Sequence, residues 1–417
     1  MSLLLQNATL IDPAKGTCQV GDLLIQKGRI AAIGPSLSSD GARRLDATGL
    51  TLAPGLIDAH VHLRDPGQTH KEDLRTGTAA AAAGGFTTVV AMPNTTPAID
   101  NAGLLTDTLA RAATMGLVHV RQVAAISHGL RGEALTDFEA LAKAGAVAFS
   151  DDGRPVVCGA LMLEALRRAA AVGRPVLSHA EDLTLPGTVA ASEATAVARD
   201  ICLAEQSGAP VHFCHISTAS SVRLIRDAKR AGIAITAETA PHYFTLTQDD
   251  EGCAGNPNAK MNPPLRRLRD LQAVREALAD GTIDLIATDH APHTALEKNA
   301  PYDRAPNGVV GLETALALGI TELVRRGVLT LPMLLSRMST APARLLGLEG
   351  GALRIGAPAD LVLFDQNEPW VVEPAALHGK SCNTPFAGRT LFGRVKLTLV
   401  GGAVVYRAPE LEGATKP

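Results

Sequence analysis

His60 and His62 stand two residues apart at the end of an apolar segment, P-G-L-I-D-A-H-V-H-L-R-D-P-G over residues 54–67. Residues at positions i and i+2 of a strand face the same side, so the two imidazoles are expected to point together. Such a pair can bind a metal ion, although an isolated H-x-H is more often a pair of packed histidines. Asp58 and Arg64 crowd the same segment. Burying so many ionisable groups is costly unless they share a function.

The elements that would carry these residues alternate regularly between residues 54 and 346. The pattern predicts eight apolar strands, at Leu56–His62, Thr87–Asn94, Val118–Ser127, Ala146–Asp152, Pro175–His179, Val211–His215, Ala234–Glu238 and Asp284–Asp289. Helices are predicted between them, including Glu133–Lys143, with Thr136 and Glu139 at capping-box spacing, and Ala219–Arg230. Eight strand–helix repeats predict an α/β fold, a (β/α)8 TIM barrel with its active site at the carboxyl ends of the strands.

Polar residues fall at the predicted strand ends. They are His60, His62, Asn94, Asp151, Asp152, His179, His215, His242, Asp289, His290 and His293. A single histidine at a strand end is by default a packing residue. Four of them converging on one barrel mouth with carboxylates favour a metal centre.

Both ends of the chain have the pattern of β structure. Short alternating segments fill the first 50 residues, and A-D-L-V-L-F-D and V-K-L-T-L-V-G-G-A-V-V-Y follow the barrel region. Neither end has enough strands for a core of its own. Residues 1–53 and 347–417 are therefore predicted to form one small composite β-sandwich domain, with the catalytic barrel, residues 54–346, inserted between them.

Composition argues against several classes of protein. The chain has 417 residues, of which 46% are hydrophobic and 19% charged, and its net charge is only −3. These values favour a packed core over disorder, and no run of one charge suggests a nucleic-acid or membrane partner. Six scattered cysteines without a C-x-x-C pair favour reduced thiols. With no basic amino-terminal start and no long apolar run, a cytoplasmic protein is expected.

Seven motifs together resemble those of the dihydroorotases of the bacterial class I type, within the cyclic amidohydrolase superfamily. They are D-A-H-V-H-L-R-D-P-G, A-M-P-N-T-T-P, F-S-D-D-G, H-A-E-D, C-H-I-S-T, K-M-N-P-P-L-R and I-A-T-D-H-A-P-H, and they span nearly the whole chain. The resemblance implies a zinc-dependent enzyme that reversibly cyclises N-carbamoyl-L-aspartate to L-dihydroorotate in pyrimidine biosynthesis. It implies one or two Zn²⁺ per subunit. Besides the substrate, the expected partners are further copies of the chain and an aspartate carbamoyltransferase.

The resemblance also implies a role for individual residues. His60, His62 and Asp289 would bind one zinc ion and His179 with His215 a second, with Asp152 as the bridge. Relatives such as the hydantoinases use a carboxylated lysine for the bridge, and this sequence has no lysine at the end of the fourth strand. Asp289 would also transfer the proton.

The substrate contacts implied by the resemblance are Arg64, Asn94 and His293 on the carboxylate, and Asn262, Asn307 and Gly308 around the ring. Arg64 could instead be a surface residue paired with Asp65 or Asp73, and Asn262 an ordinary turn residue. Asn307 stands where an aromatic residue is common in the family, and the loop over residues 183–192 is short for the family.

Two other functions stay open. An allantoinase-like or hydantoinase-like hydrolase of another cyclic amide would share the barrel and the H-x-H motif, but Arg64, Asn94 and Asp152 argue against it. An inactive dihydroorotase-like scaffold for a carbamoyltransferase would have lost metal histidines, and this chain keeps them all.

Overall fold

The computed structural model describes residues 2–411, which form a barrel and a second sheet. The strands are β1 (Ser2–Asp12), β2 (Thr17–Gln26), β3 (Arg29–Gly34), β4 (Arg43–Asp46), β5 (Thr51–Pro54), β6 (Leu56–Val61), β7 (Phe86–Ala91), β8 (His119–Ala124), β9 (Ala146–Phe149), β10 (Val176–Ser178), β11 (Val211–Phe213), β12 (Ile235–Thr239), β13 (Leu285–Ile286), β14 (Leu361–Val371), β15 (Thr390–Val400) and β16 (Ala403–Arg407).

The α-helices are α1 (Leu74–Ala83), α2 (Ala102–Met115), α3 (Phe138–Ala144), α4 (Gly159–Ala171), α5 (Ala190–Ser207), α6 (Ala219–Arg230), α7 (Pro241–Thr245), α8 (Leu268–Asp280), α9 (Ala295–Lys298), α10 (Ala315–Gly319), α11 (Leu331–Leu335) and α12 (Ala341–Leu346). Two π-helical turns, Ile320–Val324 and Ser336–Thr340, follow α10 and α11 directly. None of the helices in residues 2–411 combines the length and the hydropathy that a membrane span requires.

Strands β6–β13 form a parallel sheet in which each strand pairs with the next along the chain. A parallel bridge between Val61 and His290 joins the end of β6 to the segment after β13, and the His62 amide donates to the His290 carbonyl at 2.8 Å. The buried Asp58 carboxylate on β6 accepts a hydrogen bond from the Thr288 amide at 3.1 Å. The first and last strands are thus linked, and the predicted (β/α)8 barrel is confirmed.

All eight predicted barrel strands are present, but all except β12 end earlier than the pattern predicted. The last strand stops at Ile286 instead of Asp289, and β9 stops at Phe149 instead of Asp152. Past two of these ends the backbone turns out of the extended region, since φ is 37° at His215 and 49° at Asp289. Most of the polar residues therefore lie in the loops that follow the strands.

The predicted helix bounds are right for α6 and wrong for α3. The N-cap of α3 is Asp137, whose side chain accepts a hydrogen bond from the Ala140 amide at 2.9 Å. The Thr136 hydroxyl instead donates to the Ala125 carbonyl at 2.8 Å. The predicted capping box of Thr136 with Glu139 is therefore wrong, because its hydroxyl is bound to the preceding loop and an aspartate takes the cap position.

The second sheet contains strands from both ends of the chain, in the order β16-β15-β14-β5-β1-β2-β3 with β4 beside β1. The two ends meet where β5 pairs antiparallel with β14. Side chains on β14 point alternately to the two sides of the strand and so join the sheet to the barrel. Leu361 and Leu363 pack in the core of the sheet, while Val362 and Phe364 belong to the barrel core. A β unit composed of both termini is thus confirmed. Its strands form one continuous hydrogen-bonded sheet; the sandwich and the domain boundaries at residues 53 and 346 stay predictions.

Candidate metal centre and active site

The six predicted metal ligands lie together, buried, at the carboxyl end of the barrel. His60 is on β6 and His62 directly follows it, whereas the loops after β9, β10, β11 and β13 supply Asp152, His179, His215 and Asp289. Since the carboxyl ends of parallel strands meet at one mouth of a barrel, residues more than 200 positions apart become neighbours.

Asp152 is at the centre of the cluster. Its Oδ1 lies 3.3 Å from His179 Nδ1, 3.4 Å from His60 Nε2 and 3.7 Å from His215 Nε2. Its Oδ2 lies 3.6 Å from His62 Nε2. One carboxylate thus contacts all four imidazoles, which is the position that a bridging ligand between two ions would need.

Among the described residues, three sets of three ligand atoms lie close enough to hold an ion, each within 4.8 Å of one another: His60, His62 and Asp289; His60, Asp152 and His215; and His60, Cys214 and Glu238. His179 belongs to none of them; its Nδ1 faces Asp152 and its Nε2 lies 3.1 Å from Glu181. The buried His60 Nε2 has no hydrogen-bond partner, although it points into the cluster. An unsatisfied imidazole nitrogen among imidazole and carboxylate donors fits a divalent cation.

The cluster shifts the protonation of its own members. Burial alone would raise the pKa of Asp152, but His60, His179 and His215 hold that pKa well below its usual range. Burial alone would lower the pKa of His179, but its bonds to Asp152 and Glu181 raise the pKa to about 9. Protons on His60 and His179, whose pKa values are raised, thus balance the buried carboxylates. A bound cation would replace those protons, so metal binding is expected to release protons.

Glu238, for which the sequence predicted no role, orients the predicted metal ligand His60. His60 Nδ1 donates to its Oε1 at 2.8 Å, and His212 Nε2 donates to its Oε2 at 3.2 Å. The carboxylate is buried, and although burial opposes it, the bonds to His212 and His60 lower its pKa to about 2. Its position at the predicted end of the seventh strand was the signal that could have identified it. Carboxylates behind ligating histidines fix the ring and raise its basicity.

A cavity of about 220 Å³ opens over the cluster, and every predicted site residue except His60 lines it. Arg64 is at the basic side of this cavity, where its Nε donates to the Pro292 carbonyl at 3.2 Å and its Nη2 lies 3.2 Å from His293 Nε2. Only 8% of Arg64 is exposed, and burial lowers its pKa to about 10, so it remains a cation at neutral pH. Asp65 pairs with Arg111 at 2.6 Å instead, which excludes the proposed Arg64–Asp65 pair.

The side chains of Asn94 and Asn262, which were predicted to contact the substrate, form hydrogen bonds with other residues of the site. Asn94 Oδ1 accepts from His62 Nδ1 at 2.9 Å, and its amide donates to Asp152 Oδ2 at 3.2 Å. The Asn262 amide donates to Glu181 at 3.0 Å. In this arrangement both asparagines orient predicted metal ligands or their neighbours, and their contact with a substrate stays a prediction.

Lys71 and Asn383 also belong to the site, although the sequence analysis assigned neither. The Lys71 ammonium donates to His293 Nδ1 at 3.3 Å, which leaves the imidazole proton on Nε2, where it is donated to the Asn307 carbonyl at 2.8 Å. The buried Asn383 side chain accepts from the His293 amide at 3.0 Å and donates to the Gly308 carbonyl at 3.0 Å. Asn383 lies far along the chain in an irregular segment, where no local pattern indicates such a role.

Comparison with known proteins gives a consistent picture. Residues 51–405 match the model of the Amidohydrolase family. The chain is 48% identical to a protein named dihydroorotase from Pelobacter propionicus, over 98% of this chain and all of that one, and 47% identical to another from Geobacter metallireducens with the same coverage. Among solved structures, the L-hydantoinase (dihydropyrimidinase) from Arthrobacter aurescens has a TM-score of 0.90 at 27% identity, covering 97% of this chain and 96% of that one. The dihydropyrimidinase from Brevibacillus agri has a TM-score of 0.86 at 26% identity, covering 98% and 95%.

Glu238→Gln is expected to weaken the binding of a divalent metal ion by about 10- to 100-fold, because the substitution removes the charge behind His60 and keeps its size. Affinity would be measured by competition with a chelator. Glu205→Gln, at an exposed position of α5, is the matched control and is expected to bind metal like the unmodified protein. Equal affinity in all three proteins would exclude the role given to Glu238.

Proposed function

The chain belongs to the amidohydrolase family and, within it, to the dihydroorotases, and from this membership we propose that it interconverts N-carbamoyl-L-aspartate with L-dihydroorotate and water in de novo pyrimidine biosynthesis. The observation that supports this reaction most directly is the buried Arg64 guanidinium, which lines the cavity beside the metal cluster. Dihydroorotate carries a ring carboxylate that a plain hydantoin or dihydropyrimidine lacks. A buried cation at this position would select for that carboxylate.

The metal is proposed to be zinc, one or two ions per chain, because imidazole and carboxylate oxygen are typical zinc ligands. His60, His62 and Asp289 would hold one ion, and His179 and His215 the second. When bound, zinc polarises the amide carbonyl and lowers the pKa of water to near neutrality.

Asp152 is proposed as the bridge between the two ion positions. Its contacts with all four imidazoles support this role. No lysine follows β9 to take its place, since the nearest, Lys143, is in α3. The bridge is therefore expected to need no carboxylated lysine and no bicarbonate.

Asp289 is proposed to transfer the proton. Burial alone would raise its pKa, but His62, at 3.1 Å, and His60 hold the pKa of the carboxyl far below its usual range. The group is therefore a carboxylate at neutral pH, able to accept a proton from the attacking water. It would deliver that proton to the ring nitrogen as the amide bond breaks, and the same steps run in reverse for cyclisation.

Arg64 is proposed to bind the substrate carboxylate together with His293 and Asn94. The planar guanidinium presents paired donors that match the two oxygens of a carboxylate. With the His293 proton on Nε2, Arg64 Nη2 lies beside that nitrogen without donating to it, and the Nε donates to the Pro292 carbonyl, so the Nη donors remain for a ligand. Burial, followed by the cations Arg64 and Lys71, lowers the pKa of His293 to about 3, so its ring stays neutral and acts as a polar rather than a charged contact.

The structural likeness to hydantoinases supports the fold and leaves a hydantoinase-like activity as the second candidate. The names of the relatives at 47–48% identity and the buried Arg64 favour dihydroorotase over it. The inactive-scaffold alternative is disfavoured because all six metal ligands are present and close together.

Cytoplasmic location, assembly into homo-oligomers and association with an aspartate carbamoyltransferase are proposed alongside this function. Reduced thiols agree with the first, since all six cysteines are unpaired in the described residues.

Asp289→Asn is expected to keep part of the metal, because an amide oxygen can still coordinate, but to lose turnover by about 10²- to 10⁴-fold, the usual effect of removing acid–base assistance. Steady-state rates and metal analysis of the same preparation provide the check. Turnover close to that of the unmodified enzyme with the metal retained would exclude Asp289 from proton transfer.

Arg64→Met is expected to lower kcat/KM for dihydroorotate by roughly 30- to several-thousand-fold, because a buried carboxylate would lose a partner worth about 2 to 5 kcal/mol. Turnover of dihydrouracil, which lacks the carboxylate, should barely change. Arg131→Met, at an exposed position, is the control for loss of a cation elsewhere.

Both substrates would be assayed with all three proteins. Equal losses on dihydroorotate and dihydrouracil would show that Arg64 does not select for the carboxylate. Wild-type hydrolysis of dihydrouracil or allantoin as fast as that of dihydroorotate would favour the hydantoinase-like alternative.

A further inference from the structure

The loop between α9 and Val309 forms one wall of the candidate active site. It spans residues 299–308, contains no helix or strand, and presents Asn307 and Gly308 to the cavity. Two of its own hydrogen bonds, from the Arg304 and Ala305 amides to the Pro301 carbonyl, form a tight turn. A turn alone does not fix the loop relative to the segment over residues 257–262, which presents Asn262 to the same cavity.

Two lysine ammonium groups connect this loop to the 257–262 segment. The Lys298 ammonium donates to the carbonyls of Pro257 at 2.7 Å, Pro306 at 2.9 Å and Lys260 at 3.3 Å. The Lys260 ammonium donates to the carbonyls of Tyr302 at 2.7 Å, Ala305 at 2.7 Å and Asp303 at 3.3 Å. An ammonium has three donors, so each group uses all of them, and each one spans the two segments.

These bonds are unusual because they all end on neutral carbonyls. Lys298 is only 3% exposed, and burial, followed by repulsion from Lys260 and Arg64, lowers its pKa to about 8. A buried cation bound only to carbonyls costs free energy that an apolar side chain at this position would not. Such an arrangement indicates a functional constraint on the loop more than a contribution to stability.

The same contacts reach the residues proposed to bind substrate. The Gly308 amide donates to the Lys260 carbonyl at 2.9 Å, and Lys260 is two residues before Asn262. The Asn307 carbonyl accepts from His293 Nε2 at 2.8 Å, next to Arg64. The spacing between the 299–308 loop and the 257–262 segment therefore depends on where the ammonium groups hold the loop.

We propose that Lys298 and Lys260 are positioning residues that hold the 299–308 loop against the 257–262 segment, and so set the substrate-binding gap between Asn307 and Asn262. This role rests on the proposed function, since it assumes that the substrate ring binds between the two segments. The lysines touch neither the reacting bond nor the metal ligands. Their loss should weaken substrate binding and leave the chemical step largely intact.

The test compares Lys298→Met and Lys260→Met with the unmodified enzyme and with Lys15→Met, a control at an exposed lysine. Each substitution removes charged hydrogen bonds that stabilise the position of the loop. In both variants KM for dihydroorotate is therefore expected to rise about tenfold or more, with kcat changed less than about threefold. Zinc content should stay at the level of the unmodified enzyme. Lys260, which is less buried than Lys298, provides the second variant if Lys298→Met does not fold.

Limited trypsin digestion gives a readout that does not depend on activity. Arg304 is exposed in the loop, and cleavage after it, followed by mass spectrometry, should be at least about tenfold faster in both variants if opening of the loop is controlled by the ammonium bonds. Faster cleavage together with a raised KM supports the proposal. Unchanged cleavage, or faster cleavage with an unchanged KM, overturns it. If the unmodified enzyme does not turn over dihydroorotate, the proposed function fails, whereas the cleavage rates still show whether the lysines hold the loop.

Discussion

The site depends on the burial of several ionisable groups against one carboxylate. Asp152 contacts four imidazoles within 3.7 Å, and each of these groups is almost inaccessible to water. Charges at this depth are stable only when they balance one another, so the cluster either shares protons or binds a cation. The barrel satisfies this constraint because its parallel strands bring all the ligands to one mouth. The loops then leave the strand ladder early, and the positive φ of His215 and Asp289 accompanies their turn towards the centre.

The cavity over the cluster has two sides of opposite charge. Asp152 and Asp289 form the acidic side, which binding of metal would neutralise, while Arg64 forms the basic side next to His293. If Arg64 holds the substrate carboxylate, as proposed, the amide to be attacked would face the acidic side. The arrangement would then combine electrostatic selection with alignment of the reacting bond, two effects that lower a reaction barrier.

Much of this organisation could be predicted from the sequence, because strand–helix alternation and polar residues at strand ends are local signals. The barrel and the polar mouth follow from them directly. The exact strand ends did not, since the position at which a backbone turns away from a ladder depends on the tertiary contacts of residues such as Asp289. The capping box at Thr136 failed for a similar reason: its hydroxyl is bound to the loop after β8, which no local spacing reveals.

Long-range partners were the least predictable part of the site. Asn94 was expected to contact a substrate, but in the structure its side chain joins His62 to Asp152, a relation between three distant segments. Asn383 approaches the mouth from the far end of the chain, and Glu238 orients His60 from six strands away in sequence. Each depends on topology, because these partners, 32 to 178 positions apart, meet only when the chain has folded.

If the cluster is a zinc centre for dihydroorotate chemistry, turnover and zinc must be lost and regained together in purified protein. Interconversion of N-carbamoyl-L-aspartate and L-dihydroorotate would be followed in both directions while the zinc content of the same sample is determined before and after chelation. Turnover in both directions is expected, as are its loss together with the zinc and its return when zinc is restored. Full turnover in protein free of metal, or no turnover of either compound in protein saturated with zinc, would contradict it.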